Sequence, residues 1–128
     1  MGQSDLKERS FHLSLGVNSL SDSEKFFVEI LKSKVVHRDP SGYINIDFFG
    51  SQITLKETPG ISPELKELHF GVNLNIDEFD DLTNSILKSK YEDIVSSPVT
   101  VDAGTEMERK KMYLKSPTGY LFELKGYR

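Results

Sequence analysis

The chain of 128 residues is the size of one ordinary domain, long enough to bury about two-thirds of the surface its unfolded form would expose. Its 16 Lys and Arg stand against 20 Asp and Glu, a net charge of −4 with no basic block, which leaves no electrostatic footprint for a nucleic-acid partner. The absence of cysteine excludes disulfides, thiolate zinc sites, iron–sulfur clusters and cysteine nucleophiles, so a metal must be held by His, Asp or Glu.

The apolar runs are too short to span a bilayer, so no membrane partner is expected. The opening residues, Met1-Gly2-Gln3-Ser4-Asp5-Leu6, form neither a secretory signal nor a good acylation motif, and the expectation is a cytoplasmic protein. At 37% hydrophobic and 28% charged residues the composition is that of a globular domain, which leaves function open.

An internal repeat organises the chain. Ile30-Leu31-Lys32-Ser33-Lys34 recurs as Ile86-Leu87-Lys88-Ser89-Lys90, 56 residues further on. Upstream, Phe11-His12-Leu13-Ser14-Leu15-Gly16 parallels Leu68-His69-Phe70-Gly71-Val72-Asn73 at an offset of 57.

Taken in chain order, each copy begins with a strand of period-2 alternation. Phe11, Leu13, Leu15 and Val17 fall on one face, with His12, Ser14 and Gly16 on the other. A helix follows, for which Ser21-Asp22-Ser23-Glu24 reads as a capping box, Leu20 as its staple and Phe27, Ile30 and Leu31 as its buried stripe. Three strands near Val35–Arg38, Tyr43–Phe49 and Gln52–Glu57 complete the first copy, and His37 reads as a surface residue in a turn-like stretch.

Thr58-Pro59-Gly60-Ile61-Ser62-Pro63 reads as a linker. The second copy opens with Leu68, Phe70, Val72 and Leu74 opposing His69, Gly71 and Asn73. Asn75 or Asp77 then caps a helix with Phe79, Leu82 and Ile86 as its stripe. Strands near Val99–Asp102, Lys110–Leu114 and Tyr120–Lys125 follow. The fold class is therefore α+β: two βαβββ modules, about 10–57 and 66–126 with a linker over 58–65, forming one domain with a curved mixed sheet around a cavity.

His12 and His69 hold equivalent places in the repeat, and alternation along the last strand turns Glu123 away from Tyr120 and Phe122. A strand histidine on a polar face is most often a solvated side chain, and the repeat is what sets this pair apart. Two imidazoles and one carboxylate with open coordination positions make a facial triad, suited to Fe(II) and usable by Mn, Zn, Ni or Co. Such a metal activates dioxygen, polarises a carbonyl or chelates adjacent oxygens.

The duplicated βαβββ plan, Phe11-His12, Leu68-His69-Phe70-Gly71-Val72 and Ser116-Pro117-Thr118-Gly119-Tyr120-Leu121-Phe122-Glu123 resemble the vicinal oxygen chelate superfamily, over about Ser10 to Arg128. Its members include glyoxalase I, extradiol dioxygenases, fosfomycin-resistance enzymes and bleomycin-binding proteins. The resemblance implies His12, His69 and Glu123 as metal ligands, a small-molecule substrate with vicinal oxygens, and a homodimer.

The closing segment from Met112 to Glu123 is similar to that of extradiol enzymes, whose active-site tyrosine falls at Tyr113, where a phenol donates a hydrogen bond to a substrate oxygen. Those enzymes place a histidine shortly upstream of the tyrosine, and 102–111 contains none. Glyoxalase I takes a fourth ligand from the last strand of its first module, where parity here offers Gln52, Thr54 and Lys56, candidates for substrate binding rather than the expected carboxylate. Glu57 lies nearby on the opposite face. The alternatives are a metal-free module that sequesters small molecules and a glyoxalase-like lyase or isomerase.

Overall fold

The computed structural model describes residues 9–63 and 68–128. The chain divides into two compact units, Met1–Ser62 and Pro63–Arg128. The opening hexapeptide, the end of the expected linker and the start of the second module lie outside the described residues. No helix among the described residues is long and apolar enough to cross a membrane.

In the first unit β1 (His12–Val17) leads into α1 (Leu20–Lys25), a π-helical turn (Phe26–Ile30), β2 (Lys34–Arg38), β3 (Ile44–Phe48) and β4 (Ser51–Glu57). The strands lie in the order β1-β4-β3-β2, parallel between β1 and β4 and antiparallel elsewhere. The second unit repeats the plan with β5 (Phe70–Asn75), α2 (Ile76–Lys88), β6 (Ile94–Val101), β7 (Arg109–Lys115) and β8 (Leu121–Tyr127), in the order β5-β8-β7-β6. The architecture is α+β, two βαβββ modules each with its own four-stranded mixed sheet.

Alternation sorts the strands as the sequence predicts. Leu15, Val17, Ile44, Ile46, Phe48, Ile53 and Leu55 are buried on one face of the first sheet, with Phe27 edge-on to Phe48 at 5.9 Å between ring centroids. In the second unit Phe79, Leu82 and Ile86 of α2 are buried, as are Met112, Leu114, Phe122 and Leu124 of β7 and β8. Each such side chain contributes roughly 1.5–3 kcal/mol of burial.

Phe11 and Leu68, expected on the apolar faces of the first strands, lie before β1 and β5 and are exposed. Three further details depart from the sequence reading. Helix α1 is capped by Ser19 rather than Ser21: the Ser19 hydroxyl accepts from the Asp22 N–H at 3.2 Å, and Glu24 forms a fork with Arg38 at 2.8 and 2.6 Å instead of reaching back to a cap. The helix then widens, with Leu31 N–H donating to the Phe26 carbonyl five residues earlier at 3.0 Å. That wider turn sends Phe26, Phe27 and Leu31 into the core and leaves Ile30 half-buried. Strand β6 begins at Ile94, well before the expected Val99, because Pro98 is tolerated on an edge strand where the register slips between Ser96 and Val99.

Candidate functional site

The face of each sheet turned from its helix carries the candidate residues. In the second unit one row of register partners crosses the whole sheet, Gly71 to Glu123 to Tyr113 to Ser96. Glu123 is only 5% exposed, although it lies on the polar face. His69, immediately before β5, brings its Nε2 to 3.0 Å from Glu123 Oε1, and its ring meets that of Tyr113 edge-on at 5.6 Å.

Gly71 makes this arrangement possible. A Cβ at that position would collide with the Glu123 carbonyl oxygen, so only glycine lets β5 lie this close behind the carboxylate. The Tyr113 phenol is pushed up from its ordinary value by burial first and then by its interaction with the Glu123 carboxylate. It remains a protonated donor at neutral pH. Tyr113 is fixed from behind by the Ser96 hydroxyl, which accepts from the Tyr113 backbone N–H at 3.2 Å.

In the first unit, the corresponding row runs Ser14 to Thr54 to Asn45 to His37. Ser14, Thr54 and Asn45 thus hold the register places that Gly71, Glu123 and Tyr113 hold in the second unit. Thr54 Oγ1 donates to Asn45 Oδ1 at 2.7 Å, a neutral pair where the second unit has a carboxylate and a phenol. His12 sits one row away, opposite Gln52, whose Oε1 accepts from His12 Nδ1 at 2.7 Å. That bond leaves the lone pair on Nε2, the tautomer a metal-ligating imidazole needs.

The structure therefore groups His69, Glu123 and Tyr113 in the second unit, and His12, Gln52, Thr54 and Lys56 on one face in the first. Within neither unit do three His, Asp or Glu side chains group as a metal site among the described residues. A hollow of about 260 Å³ at Lys32, Lys34 and Phe49 and one of about 140 Å³ at Thr100, Glu108 and Arg128 touch none of these candidates.

Two neighbours of the site have other work. Glu57 Oε1 accepts from the Leu20 N–H at 2.9 Å, so this carboxylate caps α1 on the helix face. His37 lies in β2 rather than in a turn, because the turn begins at Asp39, where it is closed by the Asp39 N–H to Tyr43 carbonyl bond at 2.9 Å. The role of Gly71 escaped the sequence reading, since a strand glycine does not reveal what its missing side chain would strike.

Comparison of the sequence with family models and with curated proteins gives no match. Solved structures do match. A glyoxalase/bleomycin resistance protein/dioxygenase from Alicyclobacillus acidocaldarius is 25% identical with a TM-score of 0.78, over 94% of this chain and 92% of its own. The chain carries the vicinal oxygen chelate fold. A glyoxalase/dioxygenase from Nostoc punctiforme shares this fold at 19% identity and a TM-score of 0.74, covering 100% of this chain and 96% of its own. So does a variant of the fosfomycin resistance protein FosX from Listeria monocytogenes, solved with Mn(II) and 1S,2S-dihydroxypropylphosphonic acid. It is 20% identical with a TM-score of 0.72, over 94% of this chain and 91% of its own.

Within the second unit, the buried Glu123 carboxylate oxygen 3.0 Å from His69 Nε2 is an oxygen and nitrogen donor pair of the kind a divalent cation takes.

Proposed function

We propose that the chain is a metal-dependent enzyme of the glyoxalase/extradiol dioxygenase type, acting on a small molecule that presents two adjacent oxygens. His12, His69 and Glu123 hold its divalent cation, with Fe(II) preferred over Mn, Zn, Ni or Co. The observation that carries this reading is Glu123, a carboxylate withdrawn from water yet held against an imidazole and a phenol on the open face of its sheet. A carboxylate is buried at a cost unless donors or a cation face it, and packing alone does not require one here.

When bound, the cation supplies Lewis-acid polarisation of the substrate oxygens. Gln52 holds the His12 ring in the tautomer that leaves Nε2 free to ligate. Tyr113, kept protonated, donates a hydrogen bond to a substrate oxygen and so fixes its orientation. Thr54, whose proton is committed to Asn45, offers a lone pair to a substrate hydroxyl, and Lys56 supplies a positive charge on the same face. The Mn(II) bound in the FosX structure supports a divalent cation, and the ligand set of two imidazoles and a carboxylate supports Fe(II). A homodimer and a small-molecule substrate go with this reading.

Metal analysis of protein purified anaerobically without a histidine tag tests it. The expected result is near one iron or manganese per chain, lost in His69→Ala, with turnover of catechols or 2-oxo compounds. No stoichiometric metal, even after soaking with divalent ions, would overturn the proposal in favour of a metal-free binding module.

A further inference from the structure

The three consecutive cations Arg109, Lys110 and Lys111 fare differently in the fold. Arg109 pairs with Asp102 at 2.8 Å, and Lys110 reaches across the helix face to Asp80 at 3.0 Å. Lys111 has no carboxylate partner among the described residues; its ammonium lies over the Tyr113 ring, 5.6 Å from the centroid. Directly opposite Lys111 in the β7–β8 register stands Lys125, on the same face as Tyr113 and Glu123.

Like charges directly opposed across an antiparallel pair are destabilising, and neither side chain is fully solvated: both residues are half-buried. The carboxylate near Lys125 is Glu123 Oε1 at 3.8 Å, the same oxygen that His69 approaches to 3.0 Å. Glu123 is thus shared between His69 and Lys125, and its single negative charge does not balance the two ammonium groups that Lys111 and Lys125 place on this face.

We infer that Lys111 and Lys125 form an anion subsite beside Tyr113 and Glu123, which takes a carboxylate, phosphonate or similar acidic substituent of the ligand. Such a group bridges the two ammonium ions by charge-assisted hydrogen bonds and relieves their repulsion. The subsite makes the chain selective for acidic over neutral ligands of the same shape. This deepens the proposed function and rests on it for the identity of this face as the ligand side.

The test is a titration of the full chain with benzoate, phenylphosphonate and the neutral benzyl alcohol, followed by NMR of the lysine ammonium groups, with and without added diamagnetic Zn(II). Saturable shifts at Lys111 and Lys125 are expected with one or both anions and none with benzyl alcohol; the two anion arms separate carboxylate from phosphonate preference. Lys111→Gln and Lys125→Gln each weaken anion binding about tenfold, the scale of a lost charge-assisted bond. Lys111→Arg retains binding, and Lys110→Gln, on the helix face, leaves it unchanged. The inference is overturned if neither anion shifts the two lysines saturably, if benzyl alcohol does so equally, or if Lys110→Gln weakens binding as much. Metal content of the same samples separates the two proposals: metal bound without anion shifts overturns only the subsite, and anion shifts without metal overturn only the metalloenzyme reading.

Discussion

Gly71→Ala is the substitution that most directly joins fold to site. The added methyl would strike the Glu123 carbonyl oxygen and lie 3.1 Å from the carbonyl carbon and 3.4 Å from Glu123 Cβ. These are largely backbone atoms of the register partner, so no side-chain rotation relieves the overlap, and β5 and β8 must part by about an ångström to restore ordinary contact distances. Overpacking of this kind costs about 2 kcal/mol. With an unfolding entropy of about 2.1 cal/mol/K per residue, a chain of 128 residues has a slope of about 0.27 kcal/mol per degree. The expected fall in Tm is then about 7 °C, read by calorimetry. Because the strand that moves carries Glu123, the metal affinity of the folded variant is expected to fall about 10- to 100-fold, the scale seen when the support of a ligand is disturbed. Gly104→Ala is the control: its φ of +80° disfavours a side chain but nothing lies within 4 Å, so it costs about 1 kcal/mol and leaves metal binding unchanged. A Gly71→Ala protein with unaltered Tm and metal affinity would refute the argument that Gly71 sets the position of Glu123.

Three further outcomes are expected. Asn75→Ala removes the side chain that accepts from the Glu78 N–H at 2.9 Å and donates back to its carboxylate at 2.7 Å; it destabilises by about 1 kcal/mol, or about 4 °C in a thermal melt. Gln52→Ala frees the His12 tautomer and lowers metal affinity about 10- to 100-fold by competition titration, with a stability change below about 1 kcal/mol. Asp39 has its carboxyl lowered to about 2, first by the Ser41 hydroxyl and then by the Ser41 backbone N–H, with smaller help from His37 and Tyr43. Its folded value lies below the unfolded one, so its contribution to stability is present in full above about pH 4 and is lost as pH falls toward 2. Carbon NMR of the Asp39 carboxyl should titrate near 2, and in Ser41→Ala the midpoint should rise toward the ordinary 3.8.

Much of the fold was legible in the residues because it rests on periodicity. Alternation in Phe11–Val17 and Leu68–Leu74 separates a greasy face from a polar one whatever the surroundings, and the recurrence of Ile-Leu-Lys-Ser-Lys exposes the duplication. The parity of the last strand likewise assigns Glu123 to the polar face and Phe122 and Leu124 to the core, where both are fully buried. Glu57 is assigned to the helix face by the same rule, and there it caps α1.

Tertiary contacts decided what periodicity does not encode. The start of α1 depends on a competition between Ser19 and Ser21, settled when Arg38, far along the chain, takes Glu24 away from the cap. The π turn depends on where Phe26, Phe27 and Leu31 find space, a property of the sheet beneath them. The length of β6 depends on its being an edge, where an irregular ladder and a proline are tolerated. Among Arg109, Lys110 and Lys111 the sequence shows three equal cations. Asp102 and Asp80 claim the first two, and Lys111 is left facing Lys125, because strand alternation picks the face but only the packed neighbours determine which charges are neutralised.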